Sequence, residues 1–202
     1  NICTRSCGFC GVKTGRPETV DWEEPEKVAR SIQLMKIKHA VITSVDRDDI
    51  TDGGSIIWAE TINAIRRANP TTTLETLIPD FQGNKINIDR ILAVAPEIIS
   101  HNLETVRRLT REVRIQAKYD RSLEVLKYMK DQGQRRTKSG IMLGLGETEA
   151  EVIETMQDLA NANVDVLTIG QYLQPSKKHL PVIEFITPEQ FDKYKEIGLE
   201  MG

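Results

Sequence analysis

After its tenth residue the sequence contains no cysteine, and only three precede that point in 202 residues. An odd, clustered set cannot staple a domain of this size, so a disulfide framework is excluded as its organising principle. A reducing, intracellular setting follows, with the thiols free for metal. Also absent is any apolar run approaching the roughly 20 residues that cross a bilayer, and no apolar leader opens the sequence. The expectation is a soluble protein of the cytoplasm, or of a mitochondrion or plastid in a eukaryote. A global basic field is missing too: the formal net charge of -3 argues against nucleic acid as a partner. Linkers, short repeats and low-complexity tracts are not found. What is present is ordinary globular composition, 39% hydrophobic and 28% charged, in a chain long enough to bury one core. Residues 1–202 read as a single domain.

Short β-branched runs alternate with amphipathic helical stretches. Strands are expected at His39–Val45, Thr72–Ile78, Glu97–Leu103, Lys138–Leu145 and Asp165–Tyr172. Helices are expected at Glu24–Lys36, with Val28, Ile32 and Met35 on one face, and at Ser55–Ala68, with Trp58, Ile62 and Ile65. Further ones fall at Lys85–Val94, at Arg121–Gln132 before a stop at Gly133, at Thr148–Asn161, and from Thr187-Pro188-Glu189 to the end. Strand then helix, five times over, implies parallel strands joined by right-handed crossovers. An open doubly wound sheet and a (β/α) barrel, whole or partial, both satisfy that pattern. Polar clusters lean toward the barrel, because they fall at the ends of several strands: Thr43–Asp49, Glu75, His101-Asn102 with Glu104, Gly144–Glu147, and Gln171-Tyr172 with Gln174. Barrel sites are assembled at that rim, whereas an open sheet concentrates its site at one switch point.

The cysteines read Cys3-Thr4-Arg5-Ser6-Cys7-Gly8-Phe9-Cys10, a C-x3-C-x2-C. A cubane iron–sulfur cluster normally takes four thiolates. Three on one tight loop leave one iron with an open position where a small molecule can bind, as at a catalytic zinc. Gly8 and Gly11 suit a chain that wraps a cluster with unusual φ angles and close backbone approach. A structural zinc site is an alternative, but it wants a fourth ligand, and the paired C-x2-C units of zinc sites are absent. A thioredoxin-like C-x2-C at Cys7 and Cys10 would leave Cys3 unexplained.

With Phe9 before its last cysteine, the triplet resembles the signature of the radical S-adenosylmethionine superfamily. That resemblance implies a full or partial barrel and a [4Fe-4S] cluster on Cys3, Cys7 and Cys10. It also implies S-adenosyl-L-methionine chelating the unique iron, and a 5′-deoxyadenosyl radical as the hydrogen-abstracting species. Within the superfamily, longer strings are similar to those of the lipoyl synthase family. These are Gly15-Arg16-Pro17, Val41–Asp49, Glu75–Phe81, His101–Thr105, Thr137–Gly140, Gly144–Thr148 and Leu167–Ser176. The resemblance runs along almost the whole chain. It implies a sulfurtransferase that installs two sulfur atoms on a protein-bound octanoyl chain. Its partners would be an octanoylated lipoyl carrier protein or domain and an electron donor such as ferredoxin or flavodoxin. A biotin-synthase-like sulfur inserter and a metal-stabilised binding module remain the alternatives.

The resemblance also assigns residues. Gly140–Glu147 fits the superfamily's G-x-I-x-G-x-x-E, with Met142 where Ile is usual. Its apolar side chains would pack against adenine while glycines admit the ring, with Gly144 and Glu147 among the cofactor contacts; a glycine-rich turn capping a helix is the alternative. Ser44, Asp46 and Arg47 follow the second strand position, where an acid for the methionyl ammonium and a base for its carboxylate are wanted. Asn102 and Glu104 fall to the ribose hydroxyls. His39 and His179 read as structural, and His101 as orienting its neighbours. Arg107, Arg108, Arg111 and Arg114 form a basic stretch that reads as a solvated face.

The family pattern places a second, auxiliary [4Fe-4S] cluster on three cysteines upstream of the triplet and a serine beyond the last helix. Neither set lies in this sequence, and the strand that precedes the cysteine loop is absent as well. The expectation is therefore a partial (β/α) barrel of the radical SAM type, a core lacking the first strand and both terminal extensions. Such a core is expected to cleave S-adenosylmethionine at best and not to insert sulfur. Lipoyl product from the isolated 202-residue chain, assayed by mass spectrometry of an octanoylated carrier, would contradict this.

Overall fold

The computed structural model describes residues 2–134 and 136–202. Five parallel strands form one sheet: β3 (His39–Thr43), β4 (Thr73–Leu77), β5 (Ile98–Ser100), β6 (Thr137–Leu143) and β7 (Val166–Gln171). Their order is β3-β4-β5-β6-β7, each strand beside its successor. A doubly wound sheet reverses direction at a switch point; this one does not. It is an arc of barrel wall, and among the described residues β7 does not pair with β3. Ahead of it, β1 (Ile2–Cys3) and β2 (Lys13–Thr14) make a separate two-residue parallel pair that closes the cysteine loop.

Helices cover one side of the arc. They are α1 (Glu24–Met35), α2 (Ser55–Ala68), α3 (Lys85–Ala93), the short α4 (Thr110–Val113), α5 (Tyr119–Asp131), α6 (Glu149–Asn161) and α7 (Pro188–Met201). Four of the long helices insert an apolar stripe: Trp58, Ile62 and Ile65 from α2, Ile88 and Ile91 from α3, Leu126 and Met129 from α5, Val152, Met156 and Leu159 from α6. They meet Ala40, Leu74, Ile99, Ile141 and Leu143 from alternate strand positions. Fully burying one such side chain is worth about 1.5–3 kcal/mol. In α1 the stripe is Pro25, Ala29 and Ile32, while Met35 is exposed, because the helix ends there and Lys36 turns left-handed. Thr148 caps α6 through a full capping box with Glu151. The last helix opens at the expected Thr187-Pro188, with the Thr187 hydroxyl capping Gln190 N–H.

The other side of the strands carries polar groups. Glu75 of β4 accepts from Ser100 Oγ of β5 at 2.8 Å and from Lys138 Nζ of β6 at 2.9 Å. Glu75 therefore belongs to the strand face and not to the loop cluster expected after the strand.

Above the strand ends, the cysteine loop is held by buried charge. The Arg5 side chain is 4% exposed and meets Asp46 at 3.3 Å, Asp48 at 2.7 Å and the wholly buried Asp80 at 2.6 Å. Asp80 also takes Arg121 Nε at 2.8 Å, tying α5 into the same cluster. Burial alone would raise the Asp80 carboxyl, but the Arg5 guanidinium more than offsets it and holds the group well below the usual carboxylate range. Beside it, fully buried His101 donates Nδ1–H to Ile78 O at 2.9 Å and receives the Ser122 hydroxyl at Nε2, also 2.9 Å. Burial, reinforced by Arg114, pushes that imidazole down to about 4.

Asp80→Ala removes the carboxylate of Arg121 and one of the three that hold Arg5, and is expected to lower unfolding free energy in urea by about 3 kcal/mol. Between the ordinary histidine value of 6.5 and about 4, the unfolded chain binds the His101 proton and the native one does not. Stability therefore falls as pH drops through that window, and His101→Gln should flatten the pH dependence of the urea midpoint.

Candidate functional site

The three thiols are free and half-buried on one loop. Local geometry already favours sulfur as an acceptor: Cys3 Sγ receives the backbone N–H of Arg5 at 3.4 Å and of Asp46 at 3.3 Å. Cys10 N–H donates to Cys7 O at 3.1 Å, folding the loop back on itself. Burial pushes the Cys7 thiol up to about 11 and raises Cys3 as well. Metal binding must displace those protons. Among the described residues, no three His, Cys, Asp or Glu side chains gather tightly enough for a single metal ion. A cubane takes each thiolate on a separate iron, which suits donors set apart along a loop.

Three segments grip this loop. Thr4 N–H and hydroxyl both bond Asp46 O, at 3.1 and 2.9 Å, after β3. Gly8 N–H bonds Val113 O at 2.9 Å, and Leu180 N–H bonds Gly8 O at 3.1 Å. Gly8 and Gly11 do not adopt the unusual φ angles expected of them. What Gly8 provides is close approach, since a Cβ there would sit 3.0 Å from Leu180.

Of the residues expected around the cofactor, Asp46 is the nearest to a thiol, with Oδ2 at 3.8 Å from Cys3 Sγ. Ser44 is exposed, bonds Val45 O and receives the Trp58 indole N–H at 3.0 Å. Arg47 spends its fork on Asp49, at 2.8 and 3.0 Å, and on the Glu18 carbonyl at 3.0 Å. Asp46, Arg47, Asp48 and Asp49 line a cavity of about 340 Å³ with Pro79, Phe81 and Gln82. Asn102 and Glu104 stand together across the rim. Glu104 is held left-handed at φ 66°, because its N–H bonds Gly140 O while its own carbonyl takes Met142 N–H. Its largely buried carboxyl is raised by that burial, against the pull of Arg114.

Gly144 sits at φ 103°, and a side chain there would collide with Gln171 and the Glu184 carbonyl. The Glu147 carboxylate accepts the N–H of Gly144 and of Leu145, so it pins the turn that ends β6.

Three members were given no role from sequence. Arg5, Asp80 and Arg121 form the clamp. Arg114 leaves the solvated stretch in which its neighbours remain: it is buried, donates to Leu103 O at 2.7 Å, and acts electrostatically on Cys7 and Glu104. Arg107 and Arg108 stay outside, paired to Asp120, Asp158 and Glu151. His179 donates Nε2–H to Cys10 O at 3.1 Å, joining the segment after β7 to the loop. A solitary basic residue between cysteines, or an aspartate after Ile-Pro, carries no sequence sign of burial.

The Radical SAM superfamily model matches residues 1–159. Among curated proteins the chain is 80% identical to the lipoyl synthase of Christiangramia forsetii over all of its own length and 69% of that protein. It is 79% identical to the mitochondrial lipoyl synthase of Nematostella vectensis, again over the whole chain and 69% of the relative. Solved structures share the fold at low identity. The methylornithine synthase PylB aligns with TM-score 0.75 and 13% identity, over 99% of this chain and 60% of that one. Streptococcus suis SuiB bound to S-adenosylmethionine aligns with TM-score 0.73 and 11% identity, over 98% and 44%. An arc of parallel strands bearing a three-thiol loop at its carboxyl rim is thus matched at the level of both fold and sequence, and the chain belongs to the lipoyl synthase family of the radical SAM superfamily.

Proposed function

We propose that Cys3, Cys7 and Cys10 hold a [4Fe-4S] cluster to which S-adenosylmethionine binds, and that the rim residues around them seat the cofactor. The observation that carries this reading is the loop itself: three free thiols, two backbone N–H groups aimed at Cys3 Sγ, and a buried ionic clamp beneath. The family reaction is sulfur insertion into a protein-bound octanoyl chain, which requires a lipoyl carrier as substrate and a reductant. When bound, the cluster supplies the electron that splits the sulfonium and so gives access to unactivated C–H bonds.

The chain's own groups divide the remaining work. Asp46, beside Cys3, offers a carboxylate to an ammonium group at the open iron position. Arg47 is engaged by Asp49. Arg114 has no carboxylate within salt-bridge distance among the described residues, and is the second cation available to the cofactor's carboxylate. Asn102 and Glu104 present an amide and a carboxyl to ribose hydroxyls. Gly144 and Glu147 fix the turn against which adenine lies, with Glu147 acting on the backbone and not on the ligand. Ser44 is held by Trp58 at the mouth. An octanoylated carrier domain and a ferredoxin or flavodoxin are the partners this chemistry calls for. No helix among the described residues is long and apolar enough to cross a membrane.

Anaerobic reconstitution is expected to load about four irons per chain. Dithionite with S-adenosylmethionine should then release 5′-deoxyadenosine, and Cys7→Ala should abolish both iron uptake and release. Zinc uptake with no iron would overturn the reading.

A further inference from the structure

Two stretches of this chain avoid carboxylates. The sequence holds 30 acidic residues in 202, yet residues 1–17 and 166–183 hold none. The fold lays these stretches side by side. Leu180 N–H bonds Gly8 O, His179 bonds Cys10 O, and Pro175 lies 3.5 Å from where a Gly11 Cβ would be. Along the seam Lys13, Lys177 and Lys178 are exposed, and among the described residues none of them enters an ion pair. Lysines elsewhere do: Lys27 with Asp21, Lys130 with Asp165, Lys193 with Glu149. Val12 and Leu173, 43% and 67% exposed, add apolar surface in the same two stretches. Arg5 contributes nothing outward, since its charge is spent inside on Asp48 and Asp80.

We propose that this seam is the docking face for an acidic protein carrying a low-potential one-electron centre. The proposal rests on the reading that Cys3, Cys7 and Cys10 hold a reducible cluster. Electron transfer weakens steeply with distance, so a donor has to sit against the cysteine loop, and this seam is the loop's own surface. An acyl-lysine arm, by contrast, reaches inward from a carrier that can dock elsewhere on the rim. Unpaired lysines give an acidic partner long-range attraction, and exposed apolar side chains in the same stretches offer it a dry contact. The step moves one electron from the reduced donor to the oxidised cluster; the donor leaves oxidised by one electron, and no bond or proton changes hands.

The test uses the anaerobically reconstituted protein and photoreduced flavodoxin as the probe. Cluster reduction is followed by stopped-flow loss of visible absorbance. A variant carrying Lys13→Glu, Lys177→Glu and Lys178→Glu is expected to slow the second-order rate about tenfold or more at low ionic strength. That difference should close near 1 M salt, where the screening length is about 3 Å. The matching Lys→Gln variants should fall between. Excess dithionite should bleach every variant to the same extent, which shows an intact cluster. A flavodoxin rate unchanged by the charge reversal, with dithionite bleaching intact, overturns the proposal. So does an unchanged rate accompanied by weaker binding of an octanoylated carrier domain, which would reassign the face. Absence of dithionite bleaching in the unsubstituted protein would instead defeat the cluster reading itself.

Discussion

Arg5 carries a positive charge into a place where water barely reaches it, and three aspartates make that tolerable. Removing an ion from water costs several kcal/mol even after relaxation, and only well-formed partners repay it. Arg5 finds its partners in Asp46 and Asp48 after β3 and in Asp80 after β4. The cysteine loop can therefore settle on the strand ends in one position, the one that satisfies its guanidinium. A loop whose own regular structure is a two-residue ladder gains its definition from this cluster. Asp80 then hands the constraint on to Arg121, so α5 is positioned by the same charges that seat the thiols.

The rim is completed differently from the sheet. Among the described residues, strand pairing stops at β3 on one side and β7 on the other. The cysteine loop bridges the gap at the top, bonded to Asp46 near one edge and to His179 and Leu180 beyond the other. Backbone bonds to a loop thus link the two ends that no ladder joins. Tyr172 strengthens the far side by donating its hydroxyl to Leu180 O at 2.7 Å. The thiols stand where these three connections meet.

Much of this was legible in the residues. Strands and long helices fall within a few residues of their expected bounds, because β-branched runs and 3.6-residue stripes both reflect burial directly. The choice between an open sheet and a barrel wall was not readable from periodicity, and strand order settles it. The triplet spacing pointed to one loop of free thiols, and the polar strand ends pointed to the rim on which that loop sits. What escaped was pairing over distance. Arg114 belongs by sequence to a basic run whose other members reach acids at the surface, and only the fold turns it inward beneath Cys7. Of the two readings of the Gly144–Glu147 string, cofactor contact or glycine-rich turn, the Glu147 carboxylate is seen in the turn, accepting the N–H groups of Gly144 and Leu145. Met35 matched the helical stripe but lies on the final residue of α1, where the helix no longer faces the core.

The bond from His179 to Cys10 spans 169 residues of chain. A ribosome releases the cysteine loop before any of the sheet exists, and the segment that completes its enclosure emerges only after all five strands. Each strand, meanwhile, needs only the one made just before it. The wall can accumulate in the order of translation, while the thiols wait, unshielded, for the segment that follows β7. Closure over these thiols is thereby a late event in folding, and the interval before it is when these sulfurs are most open to oxidation.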